Sequence, residues 1–312
     1  MISFGPVPSR RLGKSLGINN ISAKKACSFS CRYCQLGITK KYSTMRKNYF
    51  EPNVIYSEVR KHLEKLKDED RPDYLTFVAN GEPTLDMNLG ESIQLLKQFN
   101  IPIAVITNAS LLKYESVRRD LFHADWVSLK VDANNKTTWE AINWPMSWLN
   151  FEEYLDGMLQ FAYSYNGKLV TETMLVQGLN DSPEITEQTS QLVAKLNPGT
   201  AYISIPTRPP AILSVKAPDE PVITEAFQTF SEKGINTELI LGFEGTNTGY
   251  TGNAIEDIIN ICTVYPMRED TLQELLRKNC ADHTILDTLV KGKYIKRVLY
   301  QSEAFYIRQF HN

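Results

Sequence analysis

The sequence predicts an α/β protein: six β-strand–helix units on a parallel sheet, followed by a small C-terminal unit of winged-helix layout. Three observations carry this. Short β-rich runs alternate with longer segments of helical apolar periodicity over most of the chain. After a loop at 243–252 the pattern changes to three short helices and a hairpin. The 312 residues, 42% apolar and 22% charged, suffice for one large domain plus a small one and exclude a disordered chain.

The first strand is read at 16–22, running into a group of cysteines. Residues 52–67 read as a helix with Ile55, Val59, Leu63 and Leu66 on one face and Pro52 at its start. A strand at 74–79, a helix at 89–99 with Leu89, Ile93 and Leu96 inward, a strand at 101–107 and a short helix at 114–122 follow. Next come a strand at 126–131, an irregular stretch, a helix at 151–165, a strand at 168–176, a helix at 183–196, a strand at 202–206 and a helix at 224–233. Strands separated by helices imply a parallel sheet, either an open doubly wound sheet or a partial barrel. Both gather ligands at the C-terminal ends of their strands. A boundary near residue 252 divides a core domain, 1–252, from a C-terminal domain, 253–312. The latter reads as helices at 254–262, 269–278 and 282–290, with hairpin strands at 294–300 and 305–308.

No apolar run approaches the roughly 18 residues of a membrane span, and the first eleven residues lack the apolar core of a signal peptide. The expected location is cytoplasmic. Net charge is −2, but residues 1–50 hold ten Lys/Arg and no Asp or Glu, which leaves −12 on the other 262. So one-sided an opening points to an anion to be neutralised.

Cys27, Cys31 and Cys34 are clustered with C-x3-C-x2-C spacing, whereas Cys262 and Cys280 lie far away and read as ordinary buried residues. An odd count in a cytosolic chain argues against disulfides. Structural zinc takes four protein ligands, and no fourth Cys or His lies nearby, His62 being the nearest histidine. A [4Fe–4S] cluster held by three cysteines leaves one iron open to a substrate or cofactor.

With the aromatic Tyr33 before the last cysteine, this motif resembles the signature of the radical S-adenosylmethionine (SAM) superfamily. The resemblance implies a partial (βα)6 TIM-like barrel, a [4Fe–4S] cluster on Cys27, Cys31 and Cys34, and SAM chelated to the open iron. An electron from a reductant such as flavodoxin or ferredoxin would cleave the SAM sulfonium, and the 5′-deoxyadenosyl radical so formed would abstract a substrate hydrogen. Asn80-Gly81-Glu82-Pro83 ends the second strand and resembles the family's GGE-type motif, which meets the methionine amino group; here Asn80 replaces the first glycine. Thr107 and Asn108 end the third strand, where the family places polar residues near the cofactor. Ser128, Lys130 and Asp132 alternate along one face of the fourth strand, and the resemblance gives Ser128 to SAM. Gln177 ends the fifth strand, where the family's adenine contacts lie. Tyr33 completes the expected cofactor contacts. Lys130, Asp132 and Glu172 are strand-end candidates for moving protons, the first two also able simply to pair with each other.

Gly5-Pro6-Val7-Pro8-Ser9-Arg10-Arg11-Leu12-Gly13, Cys34-Gln35-Leu36-Gly37, Pro206-Thr207-Arg208-Pro209-Pro210 and Pro266-Met267-Arg268-Glu269-Asp270 resemble a narrower subgroup. That subgroup is associated with wyosine-type transfer-RNA chemistry and is similar to radical SAM queuosine lyases, which release queuine. Arg10, Arg11 and Lys14, with Arg208 as a further candidate, are expected to meet an anionic nucleoside or nucleotide, queuosine or its 5′-phosphate. Transfer RNA is the alternative, disfavoured by the −12 on the remaining chain. Residues 253–312 hold eight Lys/Arg and eight Asp/Glu, and 282–290 carries no Lys or Arg, which argues against a DNA-reading helix; an accessory role is expected. An iron–sulfur redox-sensing regulator is the reading from another class, and it leaves the polar strand ends without purpose.

Overall fold

The computed structural model describes residues 2–21 and 24–309. β1 (Ser3–Ser9) and β2 (Gly13–Ile18) form an antiparallel hairpin. The chain then alternates: α1 (Pro52–Lys65), β3 (Tyr74–Phe77), α2 (Leu89–Leu96), β4 (Ile103–Thr107), α3 (Glu115–Leu121), β5 (Trp126–Lys130), α4 (Lys136–Asn143), α5 (Phe151–Ser164), β6 (Lys168–Met174), α6 (Pro183–Leu196), β7 (Thr200–Ser204), α7 (Glu220–Glu232) and β8 (Thr237–Ile240). The eight strands form one sheet in chain order, β2 to β8 parallel and β1 the antiparallel edge. A doubly wound sheet needs a reversal of strand order; this sheet has none and curls into a half-barrel.

Two apolar layers follow from the alternation of side chains along each strand. Leu75, Phe77, Val105, Val127, Leu129 and Ile203 face outward and are buried with helix residues such as Ile55, Ile93, Leu121, Phe161, Val193 and Phe230. Leu12, Ala104, Trp126, Val170, Tyr202 and Ile240 fill the inner face. Two residues further along their strands stand Ser128, Glu172 and Ser204, so the interior turns from apolar to polar toward the C-terminal strand ends.

Several expectations need correcting. The strand read at 16–22 is β2, Gly13–Ile18, closed by the buried Asn19 and Asn20; Ser22, where it was expected to end, lies outside the described residues. β1 carries Pro6 and Pro8, which an edge strand tolerates. Arg10 and Arg11 therefore sit in a hairpin turn rather than a leading segment, and Lys14 lies within β2. α4 occupies the stretch read as irregular, started by Asn135, whose side chain accepts from Thr138 N at 2.8 Å. β8 follows α7, so six crossovers join seven parallel strands.

The segment past residue 252 contains α8 (Ala254–Val264), β9 (Met267–Arg268), α9 (Glu269–Lys278), α10 (Thr284–Lys291), β10 (Ile295–Tyr300) and β11 (Glu303–Arg308), the strands ordered β10-β11-β9. Its apolar cluster includes Ile258, Ile261, Leu272 and Leu275, and also Phe4 and Val7 from β1. Among the described residues no helix is long and apolar enough to cross a membrane.

Candidate active site at the C-terminal strand ends

The loop after β2 brings the three cysteines over the strand ends and is pinned on both sides. Ala26 N donates to Asn80 O (3.1 Å) and Glu82 N to Ala26 O (2.9 Å). Gly81, at φ +139°, lies so close that a Cβ there would fall 1.7 Å from the Ala26 carbonyl oxygen. The close approach for which this glycine is needed is thus to the cysteine loop itself. On the other side Ser43 N donates to Cys27 O (3.0 Å) and Met146 N to Ser28 O (2.9 Å).

Cys27, Cys31 and Cys34 line one open cavity of about 1150 Å³, solvent included, together with Arg11, Tyr33, Gly81, Glu82, Thr107, Asn108, Lys130, Glu172 and Arg208. Each sulfur has a side-chain N–H donor. Asn108 Nδ2 lies 3.4 Å from Cys27 Sγ, Asn143 Nδ2 3.4 Å from Cys31 Sγ, and Lys25 Nζ 3.3 Å from Cys34 Sγ. Among the described residues no three His, Cys, Asp or Glu side chains converge on a single-ion site. His62 supplies no fourth ligand, since its Nδ1 meets Ser3 Oγ (3.0 Å) and its Nε2 meets Gly5 O (2.9 Å). Burial pushes the Cys31 thiol up to about 12 and raises Cys27 further, so binding iron means displacing protons. Cys262 is buried in the C-terminal cluster, whereas Cys280 is exposed, not buried as expected.

The residues expected around a cofactor divide. Glu82 is fully buried and accepts from Thr84 N (3.1 Å), Thr84 Oγ1 (2.6 Å), Thr107 Oγ1 (2.6 Å) and Asn108 N (2.7 Å). Its carboxylate ties the end of β3 to the end of β4, and burial raises its pKa despite these donors. Asn80 is buried and its N–H donates to Asn19 Oδ1 (2.9 Å). Ser128 is fully buried on the inner face, and its hydroxyl has no protein partner. Gln177 is exposed on the loop after β6, its N–H donating to Lys216 O at 3.0 Å. Asn80, Ser128 and Gln177 do not line the cavity.

Lys130, Asp132 and Glu172 belong to one row of contacts. Arg11 pairs with Glu172; Lys130 Nζ lies 3.2 Å from Glu172 Oε1 and 3.5 Å from Asp132 Oδ1. Tyr33 donates its hydroxyl proton to Asp132, and Asn143 Nδ2 donates to Asp132 Oδ2 at 2.7 Å. Since Asn143 also reaches Cys31, the row runs unbroken from the β1–β2 turn to the cysteine loop. Ser204 Oγ adds a donor to Glu172 at 3.0 Å. Burial opposes ionisation of Glu172, but Arg11 and Lys130 overcome it and hold the carboxyl well below the usual range. Burial likewise works against the charge on Lys130, which Asp132 and Glu172 nonetheless raise above normal. For Tyr33, burial and then Asp132 push the phenol well above its ordinary value, keeping its proton.

The cations expected to meet an anion are already matched. Glu244, on the loop after β8, takes Arg10 at 3.0 Å and Arg208 at 2.7 Å, and Arg208 lies over the Tyr265 ring at 4.1 Å. Lys14 is not brought to the cavity; its side chain reaches the Glu69 carbonyl and its N–H donates to Asp73 Oδ2 at 2.7 Å. Sequence reading missed Lys25, Asn143 and Glu244. The N-capped α4 was the available signal for Asn143; nothing local marks Glu244.

A model of the Radical SAM superfamily matches residues 21–189, from the cysteine loop into the first half of α6. A UPF0026 protein of Methanocaldococcus jannaschii is 43% identical over 310 residues, covering 98% of this chain and 96% of that protein. An S-adenosylmethionine-dependent nucleotide dehydratase of Flammeovirga pacifica is 23% identical over 168 residues, 52% of this chain and 56% of that one. The solved radical SAM methyltransferase of Sphaerobacter thermophilus superposes with TM-score 0.53 at 14% identity, covering 73% of this chain and 66% of that one, a likeness of fold. With the cysteine loop seated over the strand ends of a half-barrel, the chain belongs to the radical SAM superfamily and, within it, to the UPF0026 family.

Proposed function

We propose that this radical SAM enzyme acts on a modified nucleoside, queuosine, and releases the base queuine through radical chemistry on the ribose. Superfamily membership implies a [4Fe–4S] cluster and SAM; Cys27, Cys31 and Cys34 would hold the first, with Thr107, Asn108 and the Gly81–Glu82 backbone beside the second. When bound, the cluster supplies the electron that cleaves SAM to a 5′-deoxyadenosyl radical.

The observation that carries the reading is the row Arg11, Glu172, Lys130 and Tyr33, which lines the cavity beside the cysteines and is joined through the buried Asp132 behind it. Breaking a ribose open needs partners for its hydroxyls and a proton for the departing base. Lys130 and Tyr33 hold protons at neutral pH, and Glu172 stays ionised. A 7-deazapurine lacks the ring nitrogen that ordinary hydrolysis protonates, so removing a ribose hydrogen offers another way to the same bond. Arg10 and Arg208 are engaged by Glu244, and Arg11 by Glu172, which favours the nucleoside over its 5′-monophosphate. The partial likeness to a nucleotide dehydratase supports a substrate built on a nucleobase and ribose, and keeps the 5′-monophosphate in the test.

The test is an anaerobic assay with SAM, reductant and one of three substrates: queuosine, its 5′-monophosphate, or transfer RNA carrying methylguanosine. Free queuine formed together with 5′-deoxyadenosine supports the proposal. Turnover with intact transfer RNA alone replaces it with wyosine-type chemistry. A protein that holds a cluster but never forms 5′-deoxyadenosine would be a sensor, not an enzyme.

A further inference from the structure

We infer that the protein holds a second ligand site, a cavity between the barrel and the C-terminal unit that takes a phosphate monoester carried on a planar, largely apolar body. Three segments wall this cavity of about 1030 Å³, solvent included. They are residues 35–37, directly after the last clustered cysteine, the proline-bearing loop at 209–213, and the C-terminal unit through the end of α8 and the β10–β11 hairpin. The walls are tied to one another. Gln35 Nε2 donates to Val264 O at 2.8 Å, and Ile212 N donates to Arg32 O at 3.0 Å. Gln35, Leu36 and Val264 also line the active cavity, so the two spaces share a partition.

The charge of this cavity is one-sided. Its lining is mostly apolar, with Leu36, Pro209, Pro210, Val264, Val298 and Ile307, and the charged residues among the described lining are Lys296 and Arg308. Lys296 stands opposite Ile307 in the hairpin, and Arg308 is one residue further along. Among the described residues neither has a carboxylate partner, and Arg308 Nη1 is buried with no hydrogen-bond acceptor. The acids of the same unit are taken elsewhere, Glu303 by Arg268 at 3.2 Å and Glu269 by Arg297 at 3.6 Å. Residues 288–302 hold four Lys/Arg and no Asp or Glu. A buried guanidinium nitrogen without an acceptor is costly. Arg10, Arg11 and Arg208 differ, since glutamates meet their charges within the fold. Unmatched positive charge is therefore found here, not among the arginines of the active cavity. Two cations match the roughly two negative charges of a phosphate monoester better than the single charge of a carboxylate or a phosphodiester. The guanidinium offers a fork of donors to phosphate oxygens. Proline rings and aliphatic side chains suit a planar base, and a concave, mostly apolar site suits a small molecule over a polymer. Two sources offer this chemistry: the substrate's own 5′-phosphate, reaching past Gln35 and Leu36, and a separate mononucleotide.

The test is anaerobic calorimetry on the reconstituted full chain, with SAM present to fill its own site and with adenosine 5′-monophosphate and adenosine as probes. The parent should bind the monophosphate about tenfold or more tightly than adenosine, and Lys296→Met/Arg308→Met should erase that preference. Lys296→Glu alters one exposed side chain and should weaken monophosphate binding in the same direction, so the test survives if the double variant does not fold. Competition then separates the sources. Displacement of the probe by queuosine 5′-monophosphate but not by queuosine assigns the site to the substrate's own phosphate. Displacement by neither assigns it to a separate mononucleotide. Displacement by queuosine itself places the probe in the active cavity and overturns the second site. A parent without preference for the monophosphate, or variants that bind it as the parent does, also overturn it. Binding that appears with transfer RNA alone gives the basic hairpin to a polymer and ends the proposal. No turnover is read, so loss of this site and loss of the queuosine reading are separate results.

Discussion

Arg11 and Glu172 stand 161 residues apart in sequence and meet as an ion pair inside the half-barrel. The guanidinium comes from the β1–β2 turn and the carboxylate from the inner face of β6, so the pair spans the concave side of the sheet. Lys130 and Ser204 complete the shell around Glu172.

Glu172→Gln should therefore leave Arg11 without its carboxylate and Lys130 with Asp132 alone, and cost about 3–5 kcal/mol. The folded carboxyl titrates below its unfolded value of about 4.3. Its contribution is in full force above that value and is lost as pH falls below it. Melting curves of parent and variant from pH 8 to 3 check this: the gap should hold down to about pH 5 and narrow steadily from there to pH 3. An equal gap at every pH would show that Glu172 acts by shape.

Replacing Cys27, Cys31 and Cys34 together by Ala should abolish iron uptake, while Cys262→Ser and Cys280→Ser should leave it unchanged. Iron analysis after anaerobic reconstitution decides, with about four irons per chain expected for the parent. Iron retained by the triple variant would move the cluster elsewhere.

Asn143→Leu removes the N–H that Cys31 Sγ receives. Donors to sulfur stabilise the reduced, more negative cluster. The midpoint potential should fall, by roughly 60 mV if reduced-state stability drops tenfold. Electron paramagnetic resonance during a redox titration measures it. Asn108→Leu should act in the same direction through Cys27.

Gly81→Ala would set a methyl group against the Ala26 carbonyl. The expected result is a folded barrel with a displaced cysteine loop, read as lower iron uptake with a far-ultraviolet spectrum close to that of the parent. Glu82→Ala should behave differently. It removes the acceptor shared by Thr84, Thr107 and Asn108, so thermal stability should fall along with SAM affinity. Calorimetry that finds the affinity unchanged would confine Glu82 to structure.

The run of βα units was legible because buried parallel strands and amphipathic helices carry different apolar periods. The cysteine loop was legible from spacing alone. β1 was hidden by its prolines and α4 by its brevity, two and a quarter turns without a long apolar stripe. The row from Arg11 to Cys31 could not be seen, because pairing between residues so distant is set by the curl of the sheet. Lys130 and Asp132 were legible as an alternating pair on one strand; their sharing of Tyr33, Asn143 and Glu172 was not. The basic opening was legible as charge but not as geometry, since sequence does not say which arginines a distant Glu244 will neutralise.

β1 joins the barrel sheet to the C-terminal core. Its backbone pairs with β2, its Pro6 carbonyl accepts from Gly249 N at 2.7 Å, and its Phe4 and Val7 are buried among the C-terminal helices. The bare rim that would otherwise invite another chain is thereby sheathed. The C-terminal helices act as a buttress for the turn that delivers Arg10 and Arg11. Loosening α8 or α9 would then be felt first as slack in the Arg11–Glu172 pair, far from the substitution itself.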